Sequence, residues 1–328
     1  MASVLVLAPD RNCKASKEAI SSCCSSAIVK ALRASPNVSA CKQVTVDRLT
    51  ESLISADVLV IGGGVSVAMR DMLKPCVADL KEWQSRGAGL IGICAGSVLL
   101  SSDARRGLGL CKGVALCEDN LAAVAGMCGS VNVRFRRGLH GPLGSKDSDD
   151  EGESSYHLPL HYENGPLMRS TSSHAVPFAE YAASEEACAA DVVSLAKKPA
   201  EGTHKSRRNT AKGWTCGECG TEHASSRKKC PCGAKRQQEK RYARLREKLA
   251  GAMLGKVAVM GVTDGASRSI LFGPHPELSS KQGGWDLLAE AVGWVCPHVQ
   301  CLVGAIQAGS ASDSSSESDS DSLDSSSS

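Results

Sequence analysis

The chain has 328 residues, 42% hydrophobic and 22% charged, with a formal net charge of +3 and 16 cysteines. That length supports one sizeable α/β core plus a smaller module; aromatic residues make up only 3%, so aliphatic and cysteine side chains must fill the interior. No apolar stretch approaches the ~20 residues that cross a bilayer, and Met1 to Pro9 lacks the basic start and long apolar run of a signal peptide, so the expectation is an intracellular protein, cytoplasmic or nuclear, with no membrane association.

In chain order, Val4 to Leu7 reads as a buried strand, and Ile20, Cys23, Cys24, Ile28 and Leu32 recur at helical spacing. Val44 and Val46 suggest a second strand, and Asp57-Val58-Leu59-Val60-Ile61 a third that ends in Gly62-Gly63-Gly64. A helix from Ala68 to Trp83, kinked or restarted at Pro75, precedes the apolar run Leu90 to Ile93. Strand and helix in this rhythm imply a flavodoxin-like parallel sheet with helices on both faces. In such sheets reactive groups collect at the carboxyl ends of the strands, where both glycine-bearing loops, 62–64 and 92–96, would lie side by side.

The second loop, Gly92-Ile93-Cys94-Ala95-Gly96, has the form of a nucleophile elbow. Glycines on each side permit a turn too sharp for a Cβ, and the turn pushes the Cys94 sulfur out of the backbone surface. Beyond Gly129 the pattern loosens: Ser145 to Ser155 is polar and acidic and reads as a solvated loop, and Ala175 to Phe178 and Asp191 to Val193 are short strand-like pieces. Val257 to Val262 and Ser269 to Phe272 are strand-like and lead into Gly273-Pro274-His275-Pro276-Glu277, and a helix around Trp285 to Ala291 closes the fold. In extended chain His275 and Glu277 face the same way, so Glu277 is placed to orient an imidazole that deprotonates Cys94.

A free thiol titrates near ~8.5 and reacts as thiolate; a helix N-terminus and a neighbouring imidazole both favour that form. The backbone N–H groups of Gly63, Gly64 and Ala95 are candidate oxyanion donors, each worth ~3 kcal/mol of transition-state stabilisation. These parts describe acyl transfer through a thioester. Taken singly, the elbow also fits a tight turn with a buried thiol, and the histidine loop an ordinary surface loop.

The three motifs together resemble the class I glutamine amidotransferase-like fold, and within it the family named for the N-terminal domain of biotin-protein ligase. Tyr162-Glu163-Asn164-Gly165-Pro166 is similar to that family's middle element, and the resemblance covers most of residues 3–195 and 254–295. It implies a catalytic triad of Cys94, His275 and Glu277 and hydrolysis of an amide, with glutamine the typical substrate of the fold. Gly62 stands where the family has proline. No biotin-binding Gly-Arg-Gly-Arg loop is present, so biotin transfer is not expected.

The charge is uneven: 15 Lys and Arg stand against 4 Asp and Glu between Thr203 and Lys256, and 23 against 31 elsewhere. Within the basic block, Trp214-x-Cys216-x-x-Cys219 and Cys230-x-Cys232 offer four thiolates that can enclose a tetrahedral Zn²⁺ at ~2.3 Å per sulfur, and so short a window would draw its folding energy from the metal. The pattern resembles the zinc finger of Ran-binding protein 2 type, with His223 where that family has asparagine and a Cys-x-Cys pair one residue short; His223 is an alternative ligand. Fingers of this type bind single-stranded RNA or a protein partner. Trp214 with Arg227, Lys228, Lys229, Lys235 and Arg236 fits base stacking beside phosphate contacts, while a charge run is also the mark of a plain solvated face. The other cysteines, among them Cys23, Cys24, Cys111, Cys117, Cys188 and Cys301, lie in apolar or helical stretches and read as reduced, buried small hydrophobes.

The resulting organisation is an amidotransferase-like domain in two parts, 1–196 and 254–308, a basic zinc-finger insertion at 197–253, and an acidic Ser-rich tail at 309–328 that reads as disordered. Two functions remain open: an amide hydrolase acting on a small substrate, with the finger recruiting RNA or protein, and an idle α/β scaffold whose finger carries the function.

Overall fold

The computed structural model describes residues 1–117, 128–136, 155–182, 193–195, 214–215, 222–223, 252–279 and 281–296. The first half builds β1 (Ala2–Leu7), α1 (Lys14–Ala19), α2 (Ser22–Arg33), β2 (Val38–Val44), α3 (Val46–Leu53), β3 (Val58–Ile61), α4 (Ser66–Leu73), α5 (Val77–Ser85), β4 (Gly89–Ile93) and α6 (Ala95–Leu100). A 3₁₀ turn at Lys74–Cys76, with Pro75 inside it, separates α4 from α5, as a missing N–H donor requires.

The remaining elements are β5 (Val114–Leu116), β6 (Cys128–Arg136), β7 (Ser155–Glu163), β8 (Met168–Ser170), β9 (Ala175–Tyr181), β10 (Val193–Leu195), β11 (Trp214–Thr215), β12 (Glu222–His223), β13 (Val257–Asp264), β14 (Ser267–Phe272) and α7 (Asp286–Val295). One sheet runs β10-β6-β9-β13-β14-β4-β3-β1-β2. Its half β2-β1-β3-β4-β14 is parallel, the flavodoxin-like order, and the fold is α/β with helices on both faces. From β14 onward the sheet differs from the all-parallel expectation, because β13 returns antiparallel as a hairpin with β14 and β9, β6, β7 and β10 continue antiparallel.

Alternation along the parallel strands explains the two layers. Val4, Val6, Val58, Val60, Ile91, Ile93, Ile270 and Phe272 face one side and pack with Ile28 and Leu32 of α2 and Leu287, Leu288 and Val292 of α7. Leu5, Leu7, Leu59, Ile61, Leu90 and Leu271 face the other and pack with Leu49, Leu53, Met69, Leu73, Leu80 and Leu99 from α3 to α6. Strands buried on both faces need continuous apolar runs, which is why they stand out in the sequence. Each fully buried aliphatic side chain contributes about 1.5–3 kcal/mol.

Three local readings are corrected. Val46 opens α3 rather than ending a strand. Ile20 leaves the helical register to form a bridge with Gly64, splitting the expected helix into α1 and α2. Ser155 begins β7, and the rest of the expected loop, 145–154, lies outside the described residues.

Cys24, Cys41, Cys76, Cys94, Cys111 and Cys296 are buried, whereas Cys23 is exposed and Cys117 half-buried. Burial pushes Cys41 up to about 11 and Cys111 up to about 12, so both stay protonated and act as small hydrophobes. Cys188, Cys301, the tail at 309–328, the four expected zinc ligands and the arginines and lysines beside them lie outside the described residues. The described part of the basic segment includes a two-residue antiparallel ladder, Trp214 opposite His223 and Thr215 opposite Glu222. No described helix is long and apolar enough to cross a membrane.

Candidate active site

Cys94 sits in the single-residue turn between β4 and α6 with φ 55° and ψ −110°. A non-glycine residue held there costs on the order of 1–3 kcal/mol, and the surroundings enforce it. The Cys94 N–H donates to the Phe272 carbonyl at 2.8 Å, and the Ser97 hydroxyl lies 2.7 Å from that oxygen and 2.8 Å from the Gly92 carbonyl. At Gly96 a Cβ would overlap the Ile61 carbonyl, and the Gly96 N–H donates to the Gly62 carbonyl at 3.1 Å. The glycine turn after β3 and the elbow after β4 are thus in contact at the carboxyl edge of the sheet.

His275 follows β14 on the same edge. Its N–H donates to the His161 carbonyl at 2.7 Å, and the Ser279 hydroxyl donates to the His275 carbonyl at 2.8 Å. Pro276 starts a 3₁₀ turn, Pro276–Leu278, so the pairing with Glu277 comes from a tight turn and not from extended chain; proline's fixed φ suits the first helical position. His275 Nδ1–H donates to Glu277 Oε1 at 2.8 Å, and the two residues are only 3% and 2% exposed. The Trp285 indole N–H donates to the Glu277 carbonyl at 3.2 Å, bracing the turn from the residue that precedes α7.

Burial alone would lower the basicity of His275, but the Glu277 carboxylate and close contacts from Cys24 and Cys94 outweigh it and hold the imidazole well above its ordinary value. His275 Nε2 and Glu277 Oε2 are buried without a hydrogen-bond partner among the described residues. The Cys94 thiol donates to the Glu163 carbonyl at 3.3 Å. Glu163 belongs to the middle element singled out in the sequence, where Asn164 takes φ 54°, the Tyr162 hydroxyl donates to the Gly165 carbonyl at 2.7 Å, and Gly165 packs so closely on the Gly273 carbonyl that no Cβ fits. Cys94, the middle element and the histidine loop therefore converge.

Of the expected oxyanion donors, Gly63 lies against His275: a Cβ on it would stand 3.1 Å from His275 Cε1 and 3.0 Å from Cys24 Sγ. Gly64 instead has its Cα face against the Ala19 carbonyl and Met69. Ala95 opens α6 beside Cys94.

Two neighbours of His275 escaped the sequence reading. The His161 ring meets it edge-on at 5.9 Å between centroids, and burial together with the charge of His275 lowers its basicity. Cys24 Sγ, a ring nitrogen of His275 and a carboxylate oxygen of Glu277 lie within 4.8 Å of one another. Cys24 occupies the first turn of α2, the helix that follows β1, at the point where the strand order reverses. The rule that sites form at such switch points was the signal for it.

No family model matches the chain, and no curated protein matches it. Among solved structures it is similar to a Thermoplasma acidophilum protein described as one of the subunits of a GMP synthase, at 10% identity over 93% of this chain and 98% of that one, with a TM-score of 0.45. It is also similar to a glutamine amidotransferase, at 17% identity over 54% of this chain and 79% of that one, with a TM-score of 0.37.

Proposed function

We propose that the protein is an amidotransferase-like hydrolase that cleaves a small amide, with glutamine the first candidate, using Cys94 as nucleophile, His275 as general base and acid, and Glu277 as the carboxylate that orients the ring. The observation that carries this reading is the buried His275–Glu277 pair: its outer nitrogen, Nε2, is unpaired, and its loop follows the strand that pairs with β4, whose end carries a cysteine held at a strained strand-to-helix turn. A buried polar atom without a partner is costly, and a proton donor arriving at Nε2 relieves that cost.

In the molecules whose His275 is neutral, a fraction that grows as pH rises through its raised native value, the Cys94 thiol proton moves to Nε2, and the thiolate attacks the amide carbonyl to give a tetrahedral intermediate. Glu277 stabilises the imidazolium through Nδ1–H. Backbone N–H groups of Gly63, which borders His275, and of Ala95 receive the oxyanion, and Gly64, whose Cα packs on Ala19 and Met69, is the least favoured of the three expected donors. Nε2 then protonates the departing amine, leaving a thioester that water hydrolyses with His275 as base. Before the first step the thiol hydrogen must turn away from the Glu163 carbonyl, which it faces at rest.

The basic segment adds a zinc-binding module that recruits RNA or a protein partner. Its support is the β11–β12 ladder, which brackets Cys216 and Cys219 in the chain, and its excess of positive charge. The α/β domain as an idle scaffold is the rival reading. Glutaminase and amidase assays on the full chain, with Cys94→Ser as control, decide between them. Turnover that vanishes in the serine variant, together with fast iodoacetamide labelling of Cys94 that His275→Ala slows, is the expected result. Cys94 labelling no faster than that of the other thiols, with no turnover, refutes the enzyme.

A further inference from the structure

We propose that the backbone N–H of Asn164 is a further oxyanion donor, brought to Cys94 by a half-turn of the peptide plane between Glu163 and Asn164. The donor role rests on the function proposed above; the rotation does not.

The resting contact comes first. The Cys94 thiol donates to the Glu163 carbonyl at 3.3 Å, so an oxygen with partial negative charge faces the sulfur that must become a thiolate, beside the place where the amide oxygen gathers charge. Transition-state stabilisation calls for donors at that place. In a trans peptide the C=O and the following N–H point in opposite directions. Rotating this one plane therefore removes an acceptor and supplies a donor together.

Freedom to rotate comes second. Asn164 has φ 54°, and a half-turn of the plane takes it to about −126°, extended backbone open to any residue. Asparagine is among the few non-glycine residues at home on the left-handed side, so neither orientation is heavily penalised. The compensating change in ψ falls on Glu163, the last residue of β7, where the ladder ends. Asn164 itself is exposed, so substitutions there leave the core intact.

Fixed flanks come third. On one side Glu163 pairs with Cys128 in the β6–β7 ladder. On the other, Gly165 lies so close to the Gly273 carbonyl that no Cβ fits, the Tyr162 hydroxyl donates to the Gly165 carbonyl at 2.7 Å, and the Tyr181 hydroxyl donates to the Pro166 carbonyl at 3.5 Å. With both sides held, the plane between them turns without moving the segment. In the reaction the thiol proton goes to His275 Nε2, sulfur bonds to the substrate's carbonyl carbon, and the carbonyl π pair moves onto oxygen. That oxygen accepts the Asn164 N–H beside those of Gly63 and Ala95.

The test compares Asn164→Ala with protein carrying lactic acid, the α-hydroxy counterpart of alanine, at 164 by nonsense suppression, so that an ester replaces the 163–164 amide and its N–H is lost. Full-length protein is treated with p-nitrophenyl acetate, whose attack by Cys94 builds an oxyanion, and separately with iodoacetamide, whose alkylation builds none; peptide mapping reads both at Cys94. The ester is expected to slow acetylation about 10²- to 10³-fold and to leave alkylation no slower. Equal acetylation of amide and ester, or a fall shared by both reagents, overturns the donor. Asn164→Ala against Asn164→Gly reads the rotation without acyl chemistry. Alanine resists positive φ and glycine does not, so alkylation of Cys94 should be about 5-fold or more faster in the alanine variant; equal rates overturn the rotation. The same pair decides should the ester protein not fold. Wild-type Cys94 acetylated no faster than the other thiols sinks the hydrolase reading and the donor role with it, whereas glutamine turnover in wild type with equal acetylation of ester and amide sinks the donor alone.

Discussion

Replacing Glu277 by glutamine isolates the charge that supports His275. Both side chains are essentially excluded from water, so solvent screening does not discount the interaction. Removing one partner of a buried ion pair costs about 3–5 kcal/mol. Glutamine retains an oxygen to accept Nδ1–H and recovers a neutral hydrogen bond of roughly 1 kcal/mol, leaving a loss of about 2–4 kcal/mol.

The loss should depend on pH with a definite sign. His275 is held well above its ordinary value, so in the native protein it keeps its proton where the unfolded chain, titrating near about 6.5, releases it. The stability this contributes is fully present below about pH 6.5 and fades as pH rises through the native value. Urea denaturation of wild type and Glu277→Gln at several pH values, all above the carboxylate range, measures the gap. It should be widest at the acid end and narrow toward alkaline pH. A gap that is flat with pH, or a variant as stable as wild type near pH 6, refutes the claim that the carboxylate holds the imidazolium.

Gly96→Ala puts a methyl into the Ile61 carbonyl, a backbone atom that cannot swing aside, and should lower stability by about 1–3 kcal/mol or more in a thermal melt while disrupting the elbow. Phe178, 7% exposed, stacks edge-on against Trp294 at 5.0 Å, and Phe178→Ala should cost about 3–5 kcal/mol by denaturant titration, without altering the pH dependence traced to Glu277. Metal analysis of a Cys216→Ser, Cys219→Ser variant should find one zinc equivalent fewer than in wild type; unchanged zinc content excludes the proposed finger.

What was legible in the sequence follows from how each feature is encoded. Buried parallel strands demand unbroken apolar runs, so β3 and β4 could be placed to within one residue and β1 to within two. The elbow was legible because its geometry leaves glycine as the one residue that fits at 96. The break at Ile20 was hidden: its side chain keeps helical spacing, and only a bridge to distant Gly64 takes it out of the helix. Val46 misled because a β-branched residue just after a strand scores for strand while occupying a first helical turn. The antiparallel extension depends on β6 and β7, whose pairing partners are separated by a long polar stretch. Cys24 carried no local mark at all, since its meaning arises from the strand order that sets α2 beside the histidine loop.

The placement of β14 has a consequence for synthesis. Strand β4 pairs with β3 on one side and β14 on the other, and residues 94–266 must be translated before the second partner begins to appear. At about 5–20 residues per second this takes roughly 10–35 s, during which a bare apolar strand edge waits beside the nascent nucleophile turn. Such an edge invites wrong pairing until β14 arrives. Any product cut short before residue 275 carries the sulfur without its base.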